Sequence, residues 1–323
     1  MKNAIKVVTL LIFLLLIAFF IPTEFGNSKE NFVSGYVEET HEDEIKLYSE
    51  SKILIIEPNS TWLPTEKFNT STQPAIAGEA GMMVELESGK IVFEKNANER
   101  RKIASLVKIM TAIVALEHKN LDDKIYVSKK AATIGENSMG LTMGEYYTLE
   151  ELLYGLILNS GNDAAYAIAE GVAGDSDRFV EWMNLKAEEL NLNDSRFYDP
   201  SGLNNDTYST PKDLVILSRY AMQNENFRKI ASTFTKNLPS SKDHKFILLE
   251  NQTNLLTTYP GAGGIKTGYT GEAGLCLITY AQNDGKELIG VVLNSMDRKG
   301  DMILMLDHGF STFGVNVEHS LLE

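Results

Sequence analysis

The stretch MMVELESGKIVFEKN, residues 82–96, has the pattern of two short strands joined by a turn. Apolar and polar side chains alternate on both sides of Ser88-Gly89-Lys90, as in a β-hairpin. Near the other end of the chain, GLCLITYA (274–281) and ELIGVVLNS (287–295) predict two antiparallel strands. Strands at both ends with helices between them indicate an α+β fold, in which one antiparallel sheet is built from both ends of the domain.

The segments between these strands have the periodicity and the capping residues of helices. Ser209-Thr210-Pro211 supplies an N-cap and a first-turn proline for one of them. We therefore expect a helical subdomain beside the sheet. The predicted helices cover residues 104–118, 148–160, 162–174 and 176–192, the segment that begins at 209–211, and a closing helix at 301–313.

The composition is that of a globular protein with a strongly acidic balance. The 323 residues carry a formal net charge of −14, which argues against nucleic acid or an anionic membrane surface as the main partner. The single cysteine, Cys276, excludes an intramolecular disulfide, and the five histidines lack the spacing of metal ligands. We therefore expect neither a metal nor a cofactor.

The N-terminus has the pattern of an export signal. Lys2 and Lys6 precede an uncharged apolar run at 7–23. Because no A-x-A cleavage site follows, we expect residues 1–23 to be retained as a membrane anchor, with most of the protein outside the cytoplasm. Gly26-Asn27-Ser28 is a weak candidate for cleavage, which would make the protein secreted.

The segment after the apolar run differs in composition from the rest of the chain. Residues 24–79 contain eleven acidic residues and four lysines, so they carry a net charge of −7, half of the total. A stretch of this kind is typical of a solvated stalk, and we assign 24–74 to a stalk or linker. We expect the globular domain at 75–315 and a tail at 316–323.

The sequence IASLVKIMTA, residues 103–112, places Ser105 three residues before Lys108 on a predicted apolar helix. Side chains three residues apart share one helix face, so the lysine can reach the serine. A serine hydroxyl needs a base to become a nucleophile, and burial can lower the pKa of a lysine enough for this role. The alternative is that Ser105 caps the helix and Lys108 extends to solvent.

Two further short motifs strengthen the catalytic interpretation. Ser160-Gly161-Asn162 lies between two predicted helices, and Lys266-Thr267-Gly268 lies at the entry to a predicted strand. Ser-x-x-Lys occurs three times in the chain, but these two motifs occur once each. In this order the three motifs match the signature of serine β-lactamases and penicillin-binding proteins.

From residue 75 to 313 the chain resembles the serine D-alanyl-D-alanine carboxypeptidases, the low-molecular-mass penicillin-binding proteins related to serine β-lactamases. The resemblance implies a β-lactamase/transpeptidase-like fold and a bacterial enzyme that removes the terminal D-alanine from peptidoglycan stem peptides through an acyl-enzyme. It also implies covalent inhibition by β-lactam antibiotics such as penicillin. The stretches that carry it are GKIVFEKNANERRKIASLVKIMTA, LILNSGNDAAYAIAE, RFYDPSGLNNDTYSTPKDL and GIKTGYTGEAGLCL.

The same resemblance implies roles for individual residues. Ser105 would be the acylated nucleophile, Lys108 its base, and Ser160 the relay of a proton to the leaving group. Asn162 would hold Lys108 and the substrate amide, and Lys266 would keep the site electropositive. Thr267 and Arg298 would bind the terminal carboxylate, and the backbone N–H groups of Ser105 and Tyr269 would form the oxyanion hole. The substrate-binding set consists of Asn162, Lys266, Thr267, Gly268, Tyr269 and Arg298.

Departures from the family pattern leave other interpretations open. Gly263 stands where the family usually has an aspartate, which puts the bracing of the Lys266 strand in doubt. The chain ends at Glu323 without the C-terminal β domain of many members, which favours an N-terminal tether. A class A-like β-lactamase would need a glutamate in the loop at 192–206, which has none. A D,D-endopeptidase on the same scaffold and a non-catalytic penicillin-binding sensor remain alternatives.

Overall fold

The computed structural model describes residues 62–68 and 72–322, so the predicted anchor and most of the predicted stalk lie outside the described residues. The strands are β1 (Ala80–Glu85), β2 (Ile91–Lys95), β3 (Arg101–Lys102), β4 (Lys124–Tyr126), β5 (Tyr146–Thr148), β6 (Tyr208–Ser209), β7 (Thr235–Leu238), β8 (Ile247–Glu250), β9 (Ala262–Thr270), β10 (Gly274–Asn283) and β11 (Lys286–Ser295). The helices are α1 (Lys108–His118), α2 (Lys129–Thr133), α3 (Leu149–Ile157), α4 (Asn162–Ala173), α5 (Ser176–Glu189), α6 (Pro211–Gln223), α7 (Glu225–Ala231) and α8 (Arg298–Thr312), with 3-10 turns at Ala104–Val107 and Asn254–Thr257.

An antiparallel sheet with the strand order β2-β1-β11-β10-β9 joins the two ends of the domain. The first strand pairs with the last over six residues, from Ala80 opposite Leu293 to Glu85 opposite Leu288. The α+β fold predicted from the sequence is therefore confirmed, including the sheet built from both ends. In this order β9 is one edge strand of the sheet and β2 is the other.

The two faces of the sheet pack against different groups of helices. Successive side chains of a strand point to opposite faces, and accordingly Met82 and Val84 belong to the larger core, whereas Met83 belongs to a second, smaller one. The larger core contains the buried faces of α1 and α3 to α6. The smaller core lies under α8, which contributes Met302 and Phe310. The predicted helical subdomain is thus present on one side of the sheet.

The helices begin and end where their capping residues allow. Thr148 and Glu151 form a capping box at the start of α3, which ends before Ser160, a residue with φ of 57°. Asp297 accepts a hydrogen bond from the Gly300 N–H at 2.9 Å, so α8 begins three residues earlier than the sequence pattern predicted. The predicted helix at 104–118 divides into a 3-10 turn followed by α1.

Residues 62–68, which composition assigned to the stalk, lie along the edge strand β2. The Phe68 N–H donates to Ile91 O and the Ile91 N–H donates to Glu66 O, each at 2.8 Å. Trp62 Nε1 donates to Leu86 O at 3.0 Å, and the guanidinium of Arg219 lies 4.4 Å from the Trp62 ring centroid. This segment therefore extends the sheet by a short parallel bridge.

The last described residues also pack on the domain. Val315, Val317 and Leu321 contact the smaller core, and His319 Nε2 lies 2.8 Å from Asp307 Oδ1. Across residues 62–68 and 72–322, every helix is too short or too polar to span a bilayer.

Candidate active site

Ser105 lies in the 3-10 turn that leads into α1, and two glycines allow other segments to approach this turn closely. Ala104 has a left-handed φ of 47°. A Cβ atom on Gly202, whose own φ is 87°, would lie 2.1 Å from the Ala104 oxygen, and a Cβ atom on Gly268 would lie 3.0 Å from the Ile103 oxygen. Gly202 is therefore required for the 199–204 loop to reach the turn, and a side chain at Gly268 would crowd the approach of β9.

Lys108 is fully buried and contacts three oxygen atoms. Its Nζ atom lies 2.9 Å from Ser105 Oγ, 2.7 Å from Asn162 Oδ1 and 2.6 Å from the Ser201 backbone oxygen. The alternative in which Lys108 extends to solvent and Ser105 caps the helix is therefore wrong, because Ile103 and Val107 occupy the N-cap positions of the 3-10 turn and of α1, and the lysine is enclosed.

The environment of Lys108 favours its neutral form. Burial lowers the pKa of Lys108 to about 7, against the opposing effect of three carboxylates, Asp199, Asp163 and Glu136. A neutral amine has two N–H donors and one lone pair. Two of its three neighbours, Asn162 Oδ1 and Ser201 O, can only accept a hydrogen bond. The lone pair is then left for the Ser105 hydroxyl, which can donate its proton.

Asn162 joins the base to a loop at 135–141. Because Asn162 Nδ2 donates to Gly135 O at 3.0 Å, its Oδ1 atom is the one that faces Lys108. The Asn162 N–H donates to Asn137 O at 2.7 Å. The neighbouring Asp163, which sequence reasoning did not select, accepts from the N–H groups of Met139, Gly140 and Leu141 at 2.9 to 3.0 Å. This carboxylate fixes the loop on α4.

The DPSG loop supplies the third contact of Lys108 and was also not selected from the sequence. Asp199 accepts hydrogen bonds from the N–H groups of Ser201, Gly202 and Asn204. Thr111 Oγ1 donates to the Pro200 oxygen at 2.6 Å and ties the loop to α1. The loop thereby presents the Ser201 oxygen to the base. The only signal in the sequence was its likeness to family members, because a backbone carbonyl has no side-chain signature.

A cluster of cations lies on β9 and at the start of α8. Lys266 is buried, and its Nζ atom donates to Thr267 O at 3.0 Å. Burial, together with the charges of Lys108 and Arg298, holds the pKa of Lys266 well below its usual value, and a bound anion would oppose this shift and favour the charged amine. Arg298 Nη1 donates to Gly268 O at 2.8 Å, which fixes the guanidinium beside β9. With no carboxylate paired to either group among the described residues, this cluster is suited to an anion.

Ser160 lies in the turn between α3 and α4. Its backbone is left-handed, its side chain is buried, and its Oγ atom has no hydrogen-bond partner among the described residues. A buried hydroxyl without a protein partner is uncommon in folded proteins, and a catalytic role or a bound water would explain it. No hydrogen bond joins Ser160 Oγ to Ser105 or Lys108 in the described part of the chain.

The remaining predicted residues lie along the edge strand. Thr267 is buried, whereas Tyr269 is 63% exposed. Gly268 lies beside the Ser105 N–H, since a Cβ atom there would be 3.3 Å from that nitrogen. The structure also explains Gly263, because a Cβ atom at this position would lie 2.7 Å from Tyr280 Cδ1. Pairing with β10, where Lys266 lies opposite Ile278, braces the strand without an aspartate.

Comparisons with known proteins agree with this geometry. A family model described as D-alanyl-D-alanine carboxypeptidase matches residues 67–297. The D-alanyl-D-alanine carboxypeptidase DacF of Bacillus subtilis (strain 168) is 35% identical over 252 residues, which cover 75% of this chain and 64% of that protein. The D-alanyl-D-alanine endopeptidase of Escherichia coli (strain K12) is 30% identical over 246 residues, or 72% of this chain and 76% of the relative.

A solved structure extends the similarity to the fold. The crystal structure of the Streptomyces K15 DD-transpeptidase aligns with 74% of this chain and 99% of that protein, with a TM-score of 0.71 and 35% identity. The fold class predicted from the sequence is thus confirmed at the level of the fold family. The chain spans less than two thirds of the length of the Bacillus subtilis relative.

Proposed function

Because the chain belongs to the family of D-alanyl-D-alanine carboxypeptidases, as its motifs predicted, we propose that it removes the terminal D-alanine from peptidoglycan stem peptides through an acyl-enzyme on Ser105. The names of its relatives agree with this reaction. The observation that carries the proposal is the position of Lys108, which is buried and 2.9 Å from the Ser105 hydroxyl. A serine with a neutral amine at this distance is an activated nucleophile.

Acylation begins when the Ser105 hydroxyl transfers its proton to the neutral amine of Lys108. The Oγ atom then attacks the carbonyl carbon of the penultimate D-alanine, and the backbone N–H groups of Ser105 and Tyr269 stabilise the oxyanion. When the intermediate collapses, the C–N bond breaks and the leaving amine takes up a proton from Lys108, relayed by Ser160. The terminal D-alanine departs, and Ser105 carries the acyl group as an ester.

The basic residues on β9 and at the start of α8 determine in which direction the substrate peptide binds along β9. The terminal carboxylate binds near Thr267 and Arg298, and the reactive carbonyl lies between the N–H groups of Ser105 and Tyr269. The peptide therefore runs antiparallel to β9, whose outer edge is unpaired in the described sheet. Addition of a strand to a sheet edge is a common mode of peptide binding. The residue before the D-alanine pair then lies beyond Tyr269, toward Thr270.

The same site explains how the ester on Ser105 is hydrolysed and why a β-lactam inhibits the enzyme. Water hydrolyses the ester after the D-alanine has left, whereas an opened β-lactam ring stays attached to its leaving group. The loop at 192–206 contains no glutamate, and Asp199 within it is engaged by backbone N–H groups. This supports a penicillin-sensitive peptidase over a class A-like β-lactamase.

Muropeptides incubated with the purified domain test the reaction. Mass spectrometry distinguishes loss of one alanine, which we expect, from cleavage of cross-links. The similarity to an endopeptidase of Escherichia coli makes cross-link cleavage the second candidate. No change in any muropeptide, together with normal penicillin labelling, would contradict both and indicate a penicillin-binding sensor.

We also propose that residues 1–23 anchor the protein in the bacterial cell membrane, with the peptidase domain outside the cytoplasm. The support is the pattern of two lysines followed by the apolar run at 7–23. Mass analysis of the protein from membrane and medium tests this. Intact protein in the membrane fraction is expected, and released protein that begins near Lys29 would contradict it.

A further inference from the structure

Three consecutive residues of the DPSG loop contact the segment that carries the nucleophile and the base. The Pro200 oxygen accepts a hydrogen bond from Thr111 Oγ1 at 2.6 Å, and the Ser201 oxygen lies 2.6 Å from Lys108 Nζ. Gly202 packs against the turn before α1, where a Cβ atom on this glycine would lie 2.1 Å from a backbone oxygen. The position of the loop therefore decides where the Ser201 oxygen lies relative to the base.

Two side chains hold this loop, and they fix different parts of its geometry. Asp199 accepts from N–H groups of the loop itself, so it fixes the internal conformation. Thr111 lies on α1, three residues after Lys108, and is fully buried. Besides the contact of Lys108 itself, the Thr111 hydroxyl makes the only hydrogen bond between residues 199–204 and α1 in the described part of the chain. Thr111 thus fixes the loop relative to the base.

The hydroxyl of Thr111 holds the loop instead of bonding to its own helix. A threonine within a helix can donate to the carbonyl three or four residues earlier. Thr111 Oγ1 donates to the Pro200 oxygen, and this residue is buried. The Pro200 oxygen accepts no other hydrogen bond from the described residues. A buried carbonyl without a partner is costly, so loss of the hydroxyl would move the loop until water reaches this oxygen.

We propose that Thr111 is a positioning residue for the reaction: by holding the Pro200 oxygen, it keeps the Ser201 oxygen on Lys108 and keeps water away from the base. This inference rests on the proposed acylation of Ser105 and adds a residue on which that step depends. Burial is the main cause of the lowered pKa of Lys108. Water that enters when the loop moves would raise this pKa, so less of the amine would be neutral at acidic pH.

Other titratable groups act on Lys108 from the elements around it. They are the carboxylates of Asp163, Glu136 and Asp199 and the amine of Lys266 on β9. Within the described residues, none of these side chains forms a hydrogen bond with Thr111. Removal of the threonine hydroxyl therefore leaves their charges in place. A change in the pH dependence of acylation would then come from the position of the loop.

Penicillin acylation of Ser105 at two pH values tests the proposal with the full-length protein. Thr111→Val removes the hydroxyl and keeps the shape of the side chain. We expect this variant to be slower than the wild type by a factor at least about threefold larger at about pH 6 than at about pH 9, because a rise of about half a pH unit in the pKa lowers the neutral fraction about threefold. Thr111→Ala, which also leaves room for water, should show the same pH-dependent loss.

Two controls separate the hydroxyl from a general loss of stability. Thr111→Ser keeps the hydroxyl and should keep the wild-type ratio of the rates at the two pH values. Thr279→Val removes a hydroxyl that is buried on β10 and has no hydrogen-bond partner among the described residues, and it should also keep that ratio. Circular dichroism at both pH values shows whether each variant is folded.

The outcomes distinguish this inference from the proposed function. If penicillin does not acylate Ser105 of the wild-type protein at either pH, the proposed function fails, since it requires an acyl-enzyme on this serine. If the wild-type protein is acylated and Thr111→Val slows the reaction by the same factor at both pH values, or does not slow it, only this inference is overturned. A Thr111→Ser variant that behaves like Thr111→Val would likewise overturn it, because the retained hydroxyl would then not matter.

Discussion

The backbone oxygen of Ser201 lies 2.6 Å from the Nζ atom of Lys108, so a residue outside the three sequence motifs helps to hold the proposed base. Together with Asn162 Oδ1 at 2.7 Å, it occupies both N–H donors of a neutral amine. These two acceptors leave the lone pair of a neutral Lys108 available to the Ser105 hydroxyl, and burial favours that neutral form. Movement of either the DPSG loop or α4 would remove one of the two acceptors.

The first prediction tests Lys108 as the base. Lys108→Arg keeps the positive charge, but a guanidinium stays protonated at any working pH and cannot accept the Ser105 proton. We expect penicillin labelling of Ser105 to fall by at least about a hundredfold, the usual contribution of general base catalysis. Lys212→Arg, in a second Ser-x-x-Lys match at the start of α6, is the matched control. Normal labelling of Lys108→Arg would contradict the mechanism.

The second prediction concerns pH. Acylation requires the neutral form of Lys108, whose pKa is lowered by burial to about 7. The rate should therefore fall about tenfold for each pH unit below 7 and level off above it. Stopped-flow measurement of penicillin acylation between about pH 5 and 9 checks this, with circular dichroism at each pH as the control for folding. A rate that continues to rise through pH 9 would mean that the lysine keeps an ordinary pKa.

The third prediction concerns the close contact between Gly202 and Ala104. In Gly202→Ala, the new Cβ atom would lie 2.1 Å from the Ala104 oxygen, in a backbone conformation with φ of 87°. The loop must move away from the nucleophile turn, so we expect a loss of at least about 2 kcal/mol of stability and slower acylation. Chemical denaturation and penicillin labelling measure the two effects.

Gly174→Ala is the control for this contact. Gly174 has a similar φ of 81°, but a Cβ atom there meets nothing within 4 Å. Only the backbone strain of about 1–2 kcal/mol should remain, with acylation unchanged. Equal effects of the two substitutions on acylation would show that the contact with Ala104 does not matter.

The sequence predicted the parts of the fold and site that depend on side-chain patterns. Alternation around Ser88-Gly89-Lys90 predicted the hairpin, and spacing predicted the contact between Ser105 and Lys108. Sequence reasoning did not find the Ser201 oxygen or the left-handed φ of Ala104, because both are properties of the backbone in three dimensions.

The last prediction concerns the lifetime of the penicillin adduct on Ser105. A β-lactam mimics the acyl-D-alanyl-D-alanine end, so Ser105 Oγ opens the ring and forms an ester. With a peptide substrate, the D-alanine diffuses away and leaves room for water, whereas the opened ring remains attached and occupies that space. Fast removal of the adduct would need a general base for water, worth about a hundred- to ten-thousand-fold in rate.

The described structure supplies no such base in the loop at 192–206. Asp199 is bound by backbone N–H groups, and Asp194 pairs with Arg100 at 2.8 Å on the surface. Asp206, the third carboxylate of this loop, is exposed to solvent. We therefore expect the penicillin ester to outlast the peptide acyl-enzyme by at least about a hundredfold. Intact-mass spectra after a brief penicillin pulse measure this directly, with Ser105→Ala as the unlabelled control. An adduct lost within seconds would indicate a β-lactamase, because only a well-placed base could hydrolyse the ester while the opened ring still blocks the approach of water.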